Sequence, residues 1–135
     1  MTQELLALLL ICLLAPIQAV TSATLSACIA GFSWGLGNRV TEPVFPHWVV
    51  RFKRSHANLL ENLPTFIGVV LIAHLVGAHD DYTVYAAWAF VVLRVAFAVI
   101  YTLGITFLSL RTLAYFCSLG AIAVIAWRAV VHLPV

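Results

Sequence analysis

The chain has 135 residues, of which 64% are hydrophobic and only 9% are charged. A soluble domain carries about 25% charged residues. This composition, with a mean hydropathy of +1.07, therefore predicts an integral membrane protein and excludes a water-soluble globular enzyme. The formal net charge of +2 is too small to indicate a nucleic-acid partner. Once the membrane spans are counted, the length leaves room for one domain, residues 1–135.

The first predicted span covers residues 5–25, inside an uncharged stretch between Glu4 and Arg39. About 20 apolar residues cross a bilayer, and the three glycines between residues 31 and 37 predict a loop after a membrane-edge segment. A cleaved signal peptide is the alternative, because small residues occur throughout residues 15–23. The N-terminal region contains Glu4 and no Lys or Arg, which favours a retained span.

Three further spans are predicted at residues 57–77, 84–108 and 112–131. A short irregular loop precedes the second span, and the turn at residues 79–81 is polar and is expected to be solvated. Arg128 lies near the end of the fourth span, from which a long side chain can reach the membrane surface. The prediction is an all-α protein, an integral membrane four-helix bundle.

The distribution of basic residues predicts the orientation. Lys and Arg concentrate between the first two spans, with one more between the third and fourth: Arg39, Arg51, Lys53, Arg54 and Arg111. The positive-inside rule places this basic loop in the cytoplasm and both termini outside. We interpret Arg39 and Arg51 as contacts to lipid headgroups.

Cysteine and histidine residues give no sign of a metal site. Cys12, Cys28 and Cys117 are odd in number and far apart, so we expect buried small apolar side chains rather than a disulfide. The five histidines have no metal-ligand spacing with one another. His74, in the second span, is interpreted as a packing residue.

Polar residues at the start of the second span require an explanation. Arg54, Asn58 and Glu61 are spaced i, i+4 and i+7, which places them on one face of a helix. Arg54 and Glu61 are about 10.5 Å apart along the axis, too far for a direct ion pair. An ionisable group inside a span costs about 2.5–3.5 kcal/mol and indicates a functional site.

A second polar series occupies the third span, where Arg94 is followed by Phe97 and Tyr101 on the same face. One interpretation is an intramembrane ion pair of Arg94 with Glu61, from the same chain or a neighbouring one. Arg111, at the start of the fourth span, can likewise be an ordinary positive-inside flank. The alternative is a binding site at the cytoplasmic side, since arginines bind carboxylates and a glutamate can receive an ammonium.

These residues resemble those of the MAPEG family, the membrane-associated proteins of eicosanoid and glutathione metabolism. The main motif is close to the microsomal glutathione transferase form and reads Arg54-x-His56-x-Asn58-x-x-Glu61-Asn62-x-Pro64. Arg94, Tyr101 and Arg111 match a second motif, and the segment 37–39 is similar to the loop of bacterial members.

The resemblance implies a left-handed four-helix bundle that assembles as a homotrimer, in a bacterial inner membrane. Glutathione would lie between adjacent subunits near the cytosolic face and meet a hydrophobic small-molecule substrate from the lipid bilayer. The resemblance assigns the cofactor-binding side chains as Arg54, His56, Asn58, Glu61, Arg94 and Tyr101. Arg111, with Tyr101, would be catalytic, because an adjacent cation favours the nucleophilic thiolate.

The chain departs from the family pattern in a few places. Phe97 and Asn62 stand where leukotriene-synthase-like members carry tyrosines, and the spacing from Tyr101 to Arg111 is one residue longer than in the microsomal transferase. Despite these departures, the resemblance implies a glutathione transferase or peroxidase acting on hydrophobic electrophiles. The alternative is a non-catalytic binding or scaffold protein that presents an apolar ligand, because the family also contains a lipid-presenting member.

Overall fold

The computed structural model describes residues 1–41 and 43–133, except for the side chain of Leu108. These residues form five α-helices and no strand. The helices are α1 (Gln3–Ala30), α2 (Phe32–Leu36), α3 (His47–Leu75), α4 (Asp81–Leu103) and α5 (Leu110–Val131). The four long helices are each apolar enough to cross a membrane. The all-α prediction is confirmed, and the arrangement fits a four-helix bundle.

The ends of α4 follow from its capping residues. Asp80 accepts a hydrogen bond of 2.9 Å from the Thr83 backbone N–H, and the Thr83 hydroxyl accepts one from the Asp80 backbone N–H. At the other end, Gly104 adopts φ +75°, a left-handed conformation that terminates the helix. The span predicted to reach residue 108 therefore ends at Leu103.

The segment before α3 contains more helix than predicted. Residues 32–36 form α2, although the three nearby glycines predicted a loop. Helix α3 begins at His47, immediately after Pro46, and not near residue 57. A helix satisfies its backbone hydrogen bonds internally, so α3 can continue beyond the apolar region as far as its basic residues.

The core lies where the two central helices meet. The rings of Phe66 on α3 and Phe90 on α4 are fully buried and stacked, with their centroids 3.9 Å apart. Helices α1 and α5 each pack against both α3 and α4, but within the described residues they do not contact each other. Helix α1 therefore covers one side of the central pair, and α5 covers the other.

The helix ends that lie opposite the basic segment, called the outer ends, are joined by polar contacts that the sequence did not predict. Buried Glu4 accepts a 2.7 Å hydrogen bond from the Thr83 hydroxyl, and Arg128 Nε donates to Asp80 Oδ2 at 2.6 Å. Burial raises the pKa of Asp80, but hydrogen bonds from Thr83 N–H and Arg128 lower it more, so its pKa lies below the usual value. His79 and Asp81 are exposed, as expected for a solvated turn, whereas Asp80 is half-buried by its contact with Arg128.

Two expectations about single residues have different outcomes. The prediction of buried cysteines is wrong for Cys28 and Cys117, which are exposed on the single chain, whereas Cys12 is half-buried. His74 packs against His79 with the ring centroids 4.9 Å apart, as a packing histidine would.

Candidate functional site

A polar cavity lies at the end of the bundle where α4 ends and α5 begins, on the α5 side of α3 and α4. The helical spacing of α3 brings Arg54, Asn58 and Glu61 to this side, where they meet the last turns of α4 and the first turn of α5. The volume is about 350 Å³. Its lining residues are Arg54, Ala57, Asn58, Glu61, Phe97, Tyr101 and Arg111.

Arg94 lies beneath this cavity and does not line it. The side chain is 3% exposed, and its Nη1 donates a 2.7 Å hydrogen bond to Asn58 Oδ1. The guanidinium carbon lies 5.2 Å from the ring centroid of Phe90 and 5.5 Å from that of Tyr115, within cation–π range. Arg94 therefore holds the Asn58 amide in place. Cation–π contacts with the two aromatic rings help to stabilise the Arg94 charge.

Glu61 has no ion-pair partner among the described residues, because the ion pairs found there involve other carboxylates. The predicted alternative of an Arg94–Glu61 pair is therefore not found within this chain. Asn62 donates instead to the backbone carbonyl of Asn58 at 2.9 Å, within its own helix. The carboxylate of Glu61 is exposed at the cavity and free to receive a cationic group.

Arg111 and Tyr101 form the other wall. The guanidinium carbon of Arg111 lies 5.0 Å from the centroid of the Tyr101 ring, which in turn lies 5.5 Å from the ring of Phe97. Arg111 is the second residue of α5, and Ser109 just before this helix adopts φ +52°. The Arg111 charge is therefore held at the mouth of the cavity by a sharp turn and an aromatic face.

A second cavity of about 220 Å³ shares part of this wall. It is lined by Asn58, Phe97 and Arg111, together with Thr112 and Tyr115, which the sequence analysis did not single out. The spacing of Tyr115, four residues after Arg111 on one helix, is the signal that could have found it. Arg111 therefore lies at the boundary between two adjoining spaces.

Some of the predicted residues are not brought to the cavity. His56 does not line it, and its buried Nδ1 atom has no hydrogen-bond partner among the described residues. Arg51 Nε donates to the Thr102 carbonyl at 3.0 Å, and Arg39 Nη2 donates to the Gly35 carbonyl at 3.1 Å. Both arginines therefore contact the protein, and their interpretation as contacts to lipid headgroups stays a prediction.

The charges around the cavity favour an anion that also carries a cationic group. The lining contains two guanidinium groups and one carboxylate, so its formal charge is positive. The described residues contain no group of His, Cys, Asp and Glu that could hold a metal ion. The groups that this cavity offers to a polar ligand are arginine, amide, carboxylate and phenol groups.

Fold and site together define a polytopic helical membrane protein with a polar cavity at the level of one membrane face. The sequence model of the MAPEG family matches residues 4–131, nearly the whole chain, and the chain belongs to this family. Its function accordingly falls within membrane glutathione or eicosanoid metabolism, in a family that contains both enzymes and non-enzymatic members. Comparison with curated proteins and with solved structures gave no match.

Proposed function

We propose that this protein is a membrane glutathione transferase or peroxidase that acts on hydrophobic electrophiles. The main support for the proposal is that one cavity is lined by Arg54, Asn58, Glu61, Tyr101 and Arg111. A lipid-presenting protein has no need of so many charged groups at membrane depth, since each is costly there.

The ligand and the cavity are complementary in charge. Glutathione carries two carboxylates and one ammonium group, whereas the cavity presents two guanidinium groups and one carboxylate. Arg54 matches a carboxylate of the ligand, Glu61 matches its ammonium group, and Arg111 is left to face the thiol group. Asn58, fixed by Arg94 through the 2.7 Å hydrogen bond, would donate its amide N–H to a ligand oxygen.

Arg111 and Tyr101 are the proposed catalytic residues. A free thiol has a pKa near about 8.5 and is mostly protonated at pH 7, but a neighbouring guanidinium lowers that pKa. Bound glutathione would supply a thiolate that displaces a leaving group from an electrophilic carbon or reduces a hydroperoxide with the help of a second thiol. Tyr101 donates its phenolic hydrogen to the developing anion, and Arg111 neutralises the charge.

We also propose that the chain assembles as a homotrimer, with the cavity closed by an adjacent subunit. In support, Arg54, Glu61 and Arg111 are all exposed at the cavity of the single chain. The basic segment before α3 and the start of α5 lie at the same end of the bundle. The positive-inside rule places this end in the cytoplasm, in a bacterial inner membrane.

The test is glutathione binding to the purified protein in detergent, followed by the ultraviolet absorbance of the thiolate. We expect saturable binding together with a thiolate signal at neutral pH. Arg111→Leu is expected to lose most of the thiolate signal and keep most of the affinity.

The matched control is Lys53→Leu, which also removes a cation from the cytoplasmic end. The Lys53 ammonium lies over the Phe45 ring at 3.7 Å, outside the cavity, so both signals should persist. Binding without thiolate formation in the unmodified protein would support the scaffold alternative. Absence of glutathione binding would overturn the proposal.

A further inference from the structure

A third concave space lies on the opposite side of α4, where α1 covers the central helices. This groove has a volume of about 420 Å³ and is lined by residues of α1, α3 and α4. Its walls are largely apolar and include Ile17, Phe52, Val95 and Val99. A volume of this size falls within the range of about 300–1,000 Å³ for small-molecule sites.

Two polar side chains line this groove without partners. Gln18 is 6% exposed, and its Oε1 atom is buried with no hydrogen bond among the described residues. The buried Thr102 Oγ1 atom likewise lacks a partner there, although the backbone carbonyl of Thr102 accepts from Arg51. An unsatisfied buried polar atom costs about 1–3 kcal/mol. A hydroxyl group can donate to the glutamine oxygen or accept from the threonine hydroxyl.

The direction of the groove indicates where an apolar chain would lie. Glu4 and Thr83, near the starts of α1 and α4, are hydrogen-bonded, so these two helices run the same way. Thr102 lies at the cytoplasmic end of α4, about 10.5 Å beyond Val95 along the axis. A polar head beside Gln18 therefore leaves an apolar path toward the middle of the bilayer.

We propose that this groove binds a neutral single-chain lipid that carries a hydroxyl head, such as a long-chain alcohol. None of the ten described residues that line the groove is charged, and Arg51 at its edge already donates from Nε to the Thr102 carbonyl, so the lining favours a neutral head over an ionised carboxylate. A helix from a second copy would fill the apolar volume. Its backbone N–H groups are already hydrogen-bonded within the helix, so they cannot donate to Gln18 Oε1. The proposal is independent of catalysis at the polar cavity.

Photoaffinity labelling of the full chain in detergent tests this proposal. The probe is a long-chain alcohol with a diazirine in its chain, and the competitors are an unlabelled alcohol, alkane and fatty acid of equal length. We expect labelling within α1 and α4, with the alcohol as the best competitor. Gln18→Leu should weaken alcohol competition about fivefold, the value of one neutral hydrogen bond near 1 kcal/mol, and leave alkane competition unchanged.

A bulky substitution provides the steric control. Val99→Trp fills the groove and should abolish labelling, whereas Val92→Trp, on an exposed part of α4 outside the groove, should not. Equal competition by alcohol and alkane, preference for the fatty acid, or unchanged alcohol competition in Gln18→Leu would overturn the proposal. A photo-crosslinking residue in place of Val99 that captures a second copy would also overturn it, because the groove would then be an interface.

Discussion

The buried contact between Arg94 and Asn58 yields a prediction about stability. Asn58→Leu removes the acceptor of the 2.7 Å hydrogen bond and leaves a guanidinium that is 3% exposed with no hydrogen bond among the described residues. Neutral interhelical hydrogen bonds in membrane proteins average about 0.6 kcal/mol. Bonds to a charged group contribute about 1.5–3 kcal/mol. Because this donor is charged and buried, we expect Asn58→Leu to cost about 2–3 kcal/mol.

The reverse change should cost less. Arg94→Met keeps much of the apolar volume against Phe90 and Tyr115, and it leaves behind a half-buried amide that water in the cavity can satisfy. Replacing both partners removes the unpaired charge as well as the bond. The double variant is therefore expected to be more stable than Asn58→Leu alone, with a coupling energy of about 1.5–3 kcal/mol.

Equilibrium unfolding in mixed micelles, followed by circular dichroism, measures these free energies of unfolding. It is applied to the unmodified protein, the two single variants and the double variant. Asn62→Leu is the matched control, because the Asn62 amide bonds only within its own helix at the Asn58 carbonyl. Its effect should add to that of Arg94→Met within about 0.3–0.5 kcal/mol. If the effects of Asn58→Leu and Arg94→Met on the free energy of unfolding are additive within the same limit, the hydrogen bond does not stabilise the fold.

Three further predictions concern the cavity and the helix ends. Glu61→Gln should weaken glutathione affinity by about tenfold, the loss of one charge-assisted bond, and unchanged affinity in equilibrium dialysis would exclude the ammonium contact. Gly104→Ala should lower the free energy of unfolding by about 1–2 kcal/mol, because φ is +75° and the new Cβ would lie 3.0 Å from a guanidinium carbon, whereas Gly120→Ala, with open space around it, should not. The lowered pKa of Asp80 means that its pair with Arg128 stabilises the fold above the unfolded pKa and is lost as pH falls through the folded value. Thermal unfolding should show this acid sensitivity, of about 1 kcal/mol or less, and Asp80→Asn should reduce it; an unchanged profile would assign the sensitivity to other groups.

The sequence was informative wherever the relevant spacing lay within one helix. Arg54, Asn58 and Glu61 share a face because of the helical repeat alone, and the structure places all three at one cavity. The ends of α4 were not predicted, although Asp80 and Gly104 are favoured capping residues that mark them. The predicted span ran past Gly104 because hydropathy alone was used to place its end.

Contacts between helices could not be predicted in the same way. Asn58 and Arg94 are 36 residues apart, and Asp80 and Arg128 are 48 residues apart. Such pairs depend on how each helix is rotated about its axis. In a membrane protein, lipid-facing and bundle-facing positions are both apolar, so the pattern of hydrophobicity does not report that rotation.

The polar contacts at the outer end have a mechanical consequence. Asp80 and Arg128 hold α5 to the start of α4 there, whereas the inner ends of the same helices flank the open cavity. Helix α5 has 22 residues and therefore acts as a lever about 33 Å long. A tilt of about 3° around the outer pivot shifts its inner tip by about 1.7 Å. Because helix tilt follows bilayer thickness, lipid chain length should tune the width of the cavity, which distance measurements between the inner ends of α3 and α5 would detect.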